Sequence, residues 1–132
     1  MMFAILFVCL FSVAYQQGLK DINPGLLEKI EGVTDDCISE SKVKEDEVVN
    51  MLDKGELGES QELKCYIKCI HTKMGVLNGA GEIQENGLKS QIPPNFDQGK
   101  AAALVEKCKG VQADDPCMTA FNVAKCIMEG LH

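Results

Sequence analysis

Apolar positions along this chain recur at steps of three and four, and no useful length of it alternates with period two. That pattern marks amphipathic helices and predicts an all-α fold. Leu19, Ile22, Leu26, Ile30, Val33 and Cys37 form the stripe of a first helix, with Pro24 near its start, where a missing amide proton does least harm. Ser41 is placed to cap a second helix. Glu45, Asp46 and Glu47 give it a negative first turn, Val48, Met51 and Leu52 its apolar face, and Gly55 a stop. Ser60 opens a third helix with Glu62 in its first turn, the stripe Leu63, Ile67, Ile70 and Met74, and an end at Gly75. From Gly75 to Asn95 glycines and prolines weaken the pattern, leaving a loop and one short helix around Gln84 to Ser90. Asp97 caps a fifth helix with the face Ala101, Leu104, Val105 and Cys108. Asp114 or Asp115 caps a sixth, with Pro116 at its first position and Cys117, Phe121, Ala124, Ile127 and Met128 along it.

The first fourteen residues, MMFAILFVCLFSVA, stand apart because they carry no charged side chain. The apolar run from Phe3 to Phe11 is too short for a bilayer, which takes about 20 residues. It ends in Ser12-Val13-Ala14, the small-x-small pattern that signal peptidase accepts. A basic n-region is missing, so the free amino terminus supplies the positive charge. The expectation is a signal peptide over residues 1–14, cleavage before Tyr15, and one mature helical domain over 15–132 in an extracellular fluid. Cleavage removes Cys9 and leaves Cys37, Cys65, Cys69, Cys108, Cys117 and Cys126. An even count in a short exported chain reads as a disulfide framework, whereas in a reducing compartment it would suggest metal. All the charge falls in the mature part: 13 lysines, no arginine and 20 acids, a net −7. That balance argues against nucleic acid and against stable association with an anionic membrane, and it favours solubility.

Placed on the helices, the cysteines acquire directions. Cys65 and Cys69 are four apart and project from one face of the third helix, a poor geometry for a bond between them. Cys117 and Cys126 are nine apart and point to opposite sides of the sixth. Bridges between helices follow, but six cysteines allow fifteen pairings and helical geometry does not choose among them.

The intervals between successive cysteines, 27, 3, 38, 8 and 8 residues from Cys37 to Cys126, resemble the six-cysteine signature of the insect pheromone and general odorant-binding protein family. The resemblance covers nearly all of the mature chain. It implies the pairs Cys37–Cys69, Cys65–Cys117 and Cys108–Cys126, three interlocked disulfides stapling a compact bundle of about six helices around an apolar cavity. It further implies a secreted carrier that reversibly binds small hydrophobic ligands such as odorants or pheromones. The release partner would be a membrane odorant receptor, the fluid sensillum lymph or another extracellular one, and the state a monomer or weak homodimer. Helical face and rough location nominate the cavity wall: Val48, Met51, Leu52, Ile67, Ile70, Met74, Leu88, Ile92, Phe96, Leu104, Phe121, Ala124 and Ile127. Pro93-Pro94 would stiffen the segment and lean Phe96 over an entrance. Only Ile127 to His132 follow the last cysteine, too few to fold into the cavity as the longer tail of moth pheromone-binding proteins does, so Leu131 is expected as wall or lid. His71 and His132 are the groups that titrate near neutrality by default, and each is expected to be solvated.

Catalytic patterns are absent from the sequence, and neither a cofactor nor a metal is expected. Cys69-Ile70-His71-Thr72 lacks the Asp beside His that small disulfide-rich phospholipases use, and no serine sits in a nucleophile elbow. Tested as a calcium loop, Asn78 to Ile83 fails, with Ala80 and Gly87 where oxygen ligands are required. The competing reading is a secreted interaction or structural protein that keeps the disulfide frame without a working cavity.

Overall fold

The computed structural model describes residues 18–19 and 23–131; the predicted leader, the expected mature start at Tyr15 and His132 lie outside the described residues. From Asn23 onward the described residues form seven α-helices: α1 (Pro24–Glu31), α2 (Thr34–Ser41), α3 (Glu45–Lys54), α4 (Gln61–Lys73), α5 (Glu85–Ser90), α6 (Gln98–Cys108) and α7 (Pro116–Leu131). A 3₁₀ turn at Lys109–Val111 extends α6. No strand occurs among the described residues, only an isolated bridge between Leu77 and Ile83.

Local chemistry sets most helix boundaries. Pro24 starts α1, and Asn23 caps it by accepting the Leu26 N–H at 3.2 Å. Ser60 and Asp97 cap α4 and α6 in the same way, accepting from Leu63 at 3.1 Å and Lys100 at 2.9 Å. Asp115, rather than Asp114, accepts the Cys117 N–H at 3.0 Å ahead of Pro116. Gly55 ends α3 with φ 70°, a left-handed turn that costs glycine nothing.

Two predicted boundaries are corrected. The first predicted helix is two, because Gly32 terminates α1 and the Val33 N–H turns back to the Ile30 carbonyl at 3.0 Å. Ser41 does not cap α3. It is the last residue of α2, where its hydroxyl donates to the Cys37 carbonyl at 2.7 Å and Lys42 ends the helix at φ 62°. α3 therefore begins after Lys44 without a side-chain cap, and its three acidic first-turn residues complement the helix dipole instead.

Helix α4 is the centre of the bundle, packed chiefly on α7 and α2. Cys37–Cys69 ties it to α2, Cys65–Cys117 ties it to α7, and Cys108–Cys126 joins α6 to α7, the order that the resemblance implies. Being central, α4 buries more than one stripe: Leu63, Tyr66, Ile67, Cys69, Ile70 and His71 are all inside. Two apolar clusters make the core. One gathers around Leu63, Tyr66, Ile67 and Phe121, the other around Leu88, Leu104, Val105 and Val123, and Met74 and Ile83 pack against both. Buried Thr119 locks the entry to α7, its hydroxyl accepting the Ala113 N–H at 2.9 Å.

Helix α5 approaches the 75–76 backbone so closely that a methyl group on Gly87 would collide with the Gly75 carbonyl oxygen and the Val76 Cα. Helix propensity favours Gly87→Ala by about 1 kcal/mol. Overpacking against rigid backbone costs about 1–3 kcal/mol and wins. Urea unfolding with the disulfides intact should therefore show a lowered midpoint for Gly87→Ala; a raised one would show that α5 is free to shift.

Candidate functional site

Between the two clusters lies an apolar cavity of about 80 Å³. Leu26 and Ile30 from α1, Met51 and Leu52 from the second half of α3, and Tyr66, Ile67, Ile70 and His71 from α4 form three walls. Ala124, Ile127, Met128 and Leu131 from α7 form a fourth, and Leu19 and Gln91 complete the lining. One water needs about 10–15 Å³ counted in this way, so the space has room for more than a single water. A larger space of about 560 Å³ lies between α1 and α6, lined by Lys29, Lys89, Gln98 and the Pro93-Pro94 segment. Its wall carries two lysines and three further polar side chains among the apolar ones, so it is more polar than the cavity.

Of the residues nominated from sequence, Met51, Leu52, Ile67, Ile70, Ala124 and Ile127 meet at the cavity. The other seven lie elsewhere. Val48 is core, because only the later part of α3 reaches the cavity. Met74 bridges the two clusters just past the end of α4. Leu88 and Leu104 fill the second cluster, where Leu104 lies against Gly130. Ile92 lines the surface groove, and Phe96 packs on the second cluster instead of over the cavity. Phe121 belongs to the first cluster, its ring centroid 5.1 Å from the Lys64 ammonium. Helical periodicity separates inside from outside, and all seven are buried or half-buried. It does not separate wall from core.

Three polar side chains on the wall escaped the sequence reading. Tyr66 is fully buried, with its hydroxyl 2.6 Å from that of Thr34. Burial raises the phenol's pKa, only partly opposed by the Thr34 bond, so it stays protonated. His71, expected to be solvated, is buried, and its Nδ1 has no partner among the described residues. Gln91 is buried at the end of α5, and its Nε2 likewise lacks one. Its backbone carbonyl accepts from the Asn23 side-chain amide at 3.2 Å, which fixes it against α1. A signal for His71 existed, since Leu63, Ile67 and His71 step by four along α4. None existed for Gln91, which is brought in by the path of the loop.

Comparison with known proteins bears on this arrangement. The profile of the PBP/GOBP family matches residues 20–130. The B1 protein of Tenebrio molitor is 33% identical over 104 residues, 78% of this chain and 78% of its own. Among solved structures, one described as the fatty acid binding protein OBP56a from the oral disk of the blowfly Phormia regina superposes with TM-score 0.64 at 28% identity. The superposition covers 78% of this chain and 89% of that one. Odorant binding protein 7 of Anopheles gambiae, in complex with an azo compound, gives TM-score 0.62 at 26% identity, over 81% of this chain and 85% of its own.

The buried imidazole makes stability depend on pH. Desolvation pushes the His71 pKa from 6.5 down to about 4, so the folded chain holds it neutral while the unfolded chain binds a proton first. Its contribution is complete above pH 6.5 and is lost as the pH falls from there through 4, to a limit of about 3 kcal/mol. Urea midpoints at pH 7.5 and 4.5 should diverge more for the wild type than for His71→Gln. Equal divergence would place the imidazole in water.

Proposed function

The chain belongs to the PBP/GOBP family, and on that premise we propose that it is a secreted carrier of small hydrophobic molecules. It takes up its ligand reversibly, keeps it in solution and gives it up to a membrane chemoreceptor, and no bond is made or broken. One observation carries this reading: four helices turn apolar side chains toward a common cavity that their own core packing leaves open. The blowfly protein described as binding fatty acid and the mosquito protein holding an azo compound support a lipophilic cargo. The uncharged leader over residues 1–14 and the six paired cysteines support export of a mature domain over 15–132. Met51, Leu52, Ile67, Ile70, Ala124 and Ile127 are the predicted residues assigned to the ligand, joined by Leu26, Ile30, Met128 and Leu131.

Fluorescence titration with N-phenyl-1-naphthylamine tests the carrier. Oxidised, folded protein should take up the dye saturably. Ala124→Phe, which fills the cavity from α7, should weaken uptake about tenfold or more while far-UV circular dichroism stays unchanged. Val49→Phe, at an exposed position on α3, should leave it as it was. Saturable uptake that ignores Ala124→Phe would move the site elsewhere, and no uptake would end the carrier reading.

A further inference from the structure

The groove between α1 and α6, about 560 Å³, has the size of a small-molecule site and borders the cavity at Leu26. Three of its five polar side chains are occupied in holding its shape. Asn23 donates to the Gln91 carbonyl at 3.2 Å, Ser90 to the Gly87 carbonyl at 2.6 Å and Gln98 to the Phe96 carbonyl at 3.3 Å. Pro93-Pro94 stiffens the segment between them. The other two are Lys29 from α1 and Lys89 from α5, and neither has an ion-pair partner among the described residues. No acidic side chain is among the described residues that line the groove, in a chain with 20 acids against 13 lysines. Glu85 and Asp97, on either side of this segment, are turned to other groups. Glu85 pairs with Lys109 at 3.6 Å, and Asp97 accepts the Lys100 N–H at 2.9 Å.

We propose that this groove is a second binding site, separate from the cavity, and that it takes a small organic anion with an apolar body. Its charge is opposite in sign to that of the chain as a whole, a local +2 on a protein of net −7. Two uncompensated cations on one concave surface make its potential attractive to an anion, and neither needs to reach the other for this to hold. The anion keeps part of its hydration, because Lys29 and Lys89 are both exposed, so its charge is not stripped of water as it would be inside the cavity. Ile92, Val105 and the two prolines supply the apolar surface for the body behind the charge. A neutral lipophile gains nothing from the lysines, and an inorganic anion nothing from the apolar wall. Only an amphiphilic anion uses both.

A matched pair of dyes tests the site, since 8-anilinonaphthalene-1-sulfonate is N-phenyl-1-naphthylamine with one sulfonate added. The folded, oxidised chain should take up the sulfonate saturably at pH 7.5. Lys29→Gln and Lys89→Gln should each weaken that uptake about threefold, and the double variant about tenfold. Lys89→Arg, which keeps the charge, should restore it. None of these changes should alter uptake of the neutral dye, because neither lysine lines the cavity. Ala102→Phe, at an exposed position on α6, should fill the groove and weaken the sulfonate alone. Octanoate should displace the sulfonate at lower concentration than either octan-1-ol or inorganic sulfate. No sulfonate uptake, uptake that the double variant leaves unchanged, or equal displacement by octanoate and octan-1-ol would overturn the anion site, whatever the cavity does with the neutral dye. Uptake that falls as protein concentration rises would give the groove to a second copy of the chain and overturn it as well.

Discussion

Cys65 and Cys69 sit one turn apart on α4 and bond to different helices, α7 and α2, so the central helix is fixed on adjacent turns before any apolar packing is counted. This constraint makes the cavity affordable in a chain of this size. An unfilled space forfeits dispersion contacts and costs stability in proportion to its volume. In the chain-entropy model the three bonds, spanning 32, 52 and 18 residues, are each worth about 3 to 4 kcal/mol, though a shared denatured state keeps them from adding fully. The staples restrict the unfolded chain instead of filling the folded one. That is how a small core tolerates an interior left partly open.

The fold was legible wherever one residue type has one physical consequence. Proline at a first turn, serine or aspartate ahead of an apolar run, and glycine past its end located α4, α6, the start of α7 and the end of α3. Ser41 misled because serine has two uses. It caps a helix that follows, or bonds back to the carbonyl four residues earlier, and here the second won. Gly32 was invisible for a related reason. The apolar period runs through it without a break, yet Val33 and Cys37 take up that period on a new axis. The distinction between wall and core was illegible throughout. Val48 and Met51 share a face of α3, and which of them meets empty space depends on how α1 and α7 lie across it.

The polar wall shows the same limit from the other side. His71 fits the stripe of α4 by spacing, but histidine is ambivalent between core and surface, and its fate depends on what covers it. Gln91 is buried because the segment after α5 is pinned twice, through its own carbonyl to Asn23 and through the tight seat of Gly87 on the 75–76 backbone. Neither contact is local in sequence. The polar feature of the cavity is thus a product of long-range packing, while its apolar lining follows largely from local periodicity.

Restraint is distributed unevenly around the cavity. The α4 and α7 walls carry cysteines and are tied to each other, and α7 is tied again to α6. Helices α1 and α3, which supply Leu26, Ile30, Met51 and Leu52, contain no cysteine and are held by packing and by single hydrogen bonds, from Asn23 to the Gln91 carbonyl and from Ser60 to Glu47. Apolar packing is non-directional, and its strength follows buried area more than exact position, so these two helices adjust at lower cost than a cross-linked one. Met51, with its unbranched side chain, adds local adaptability on that side. His71 belongs to the cross-linked side. The disulfides therefore brace the side of the cavity that carries His71, and the side that α1 and α3 supply is held without a cross-link.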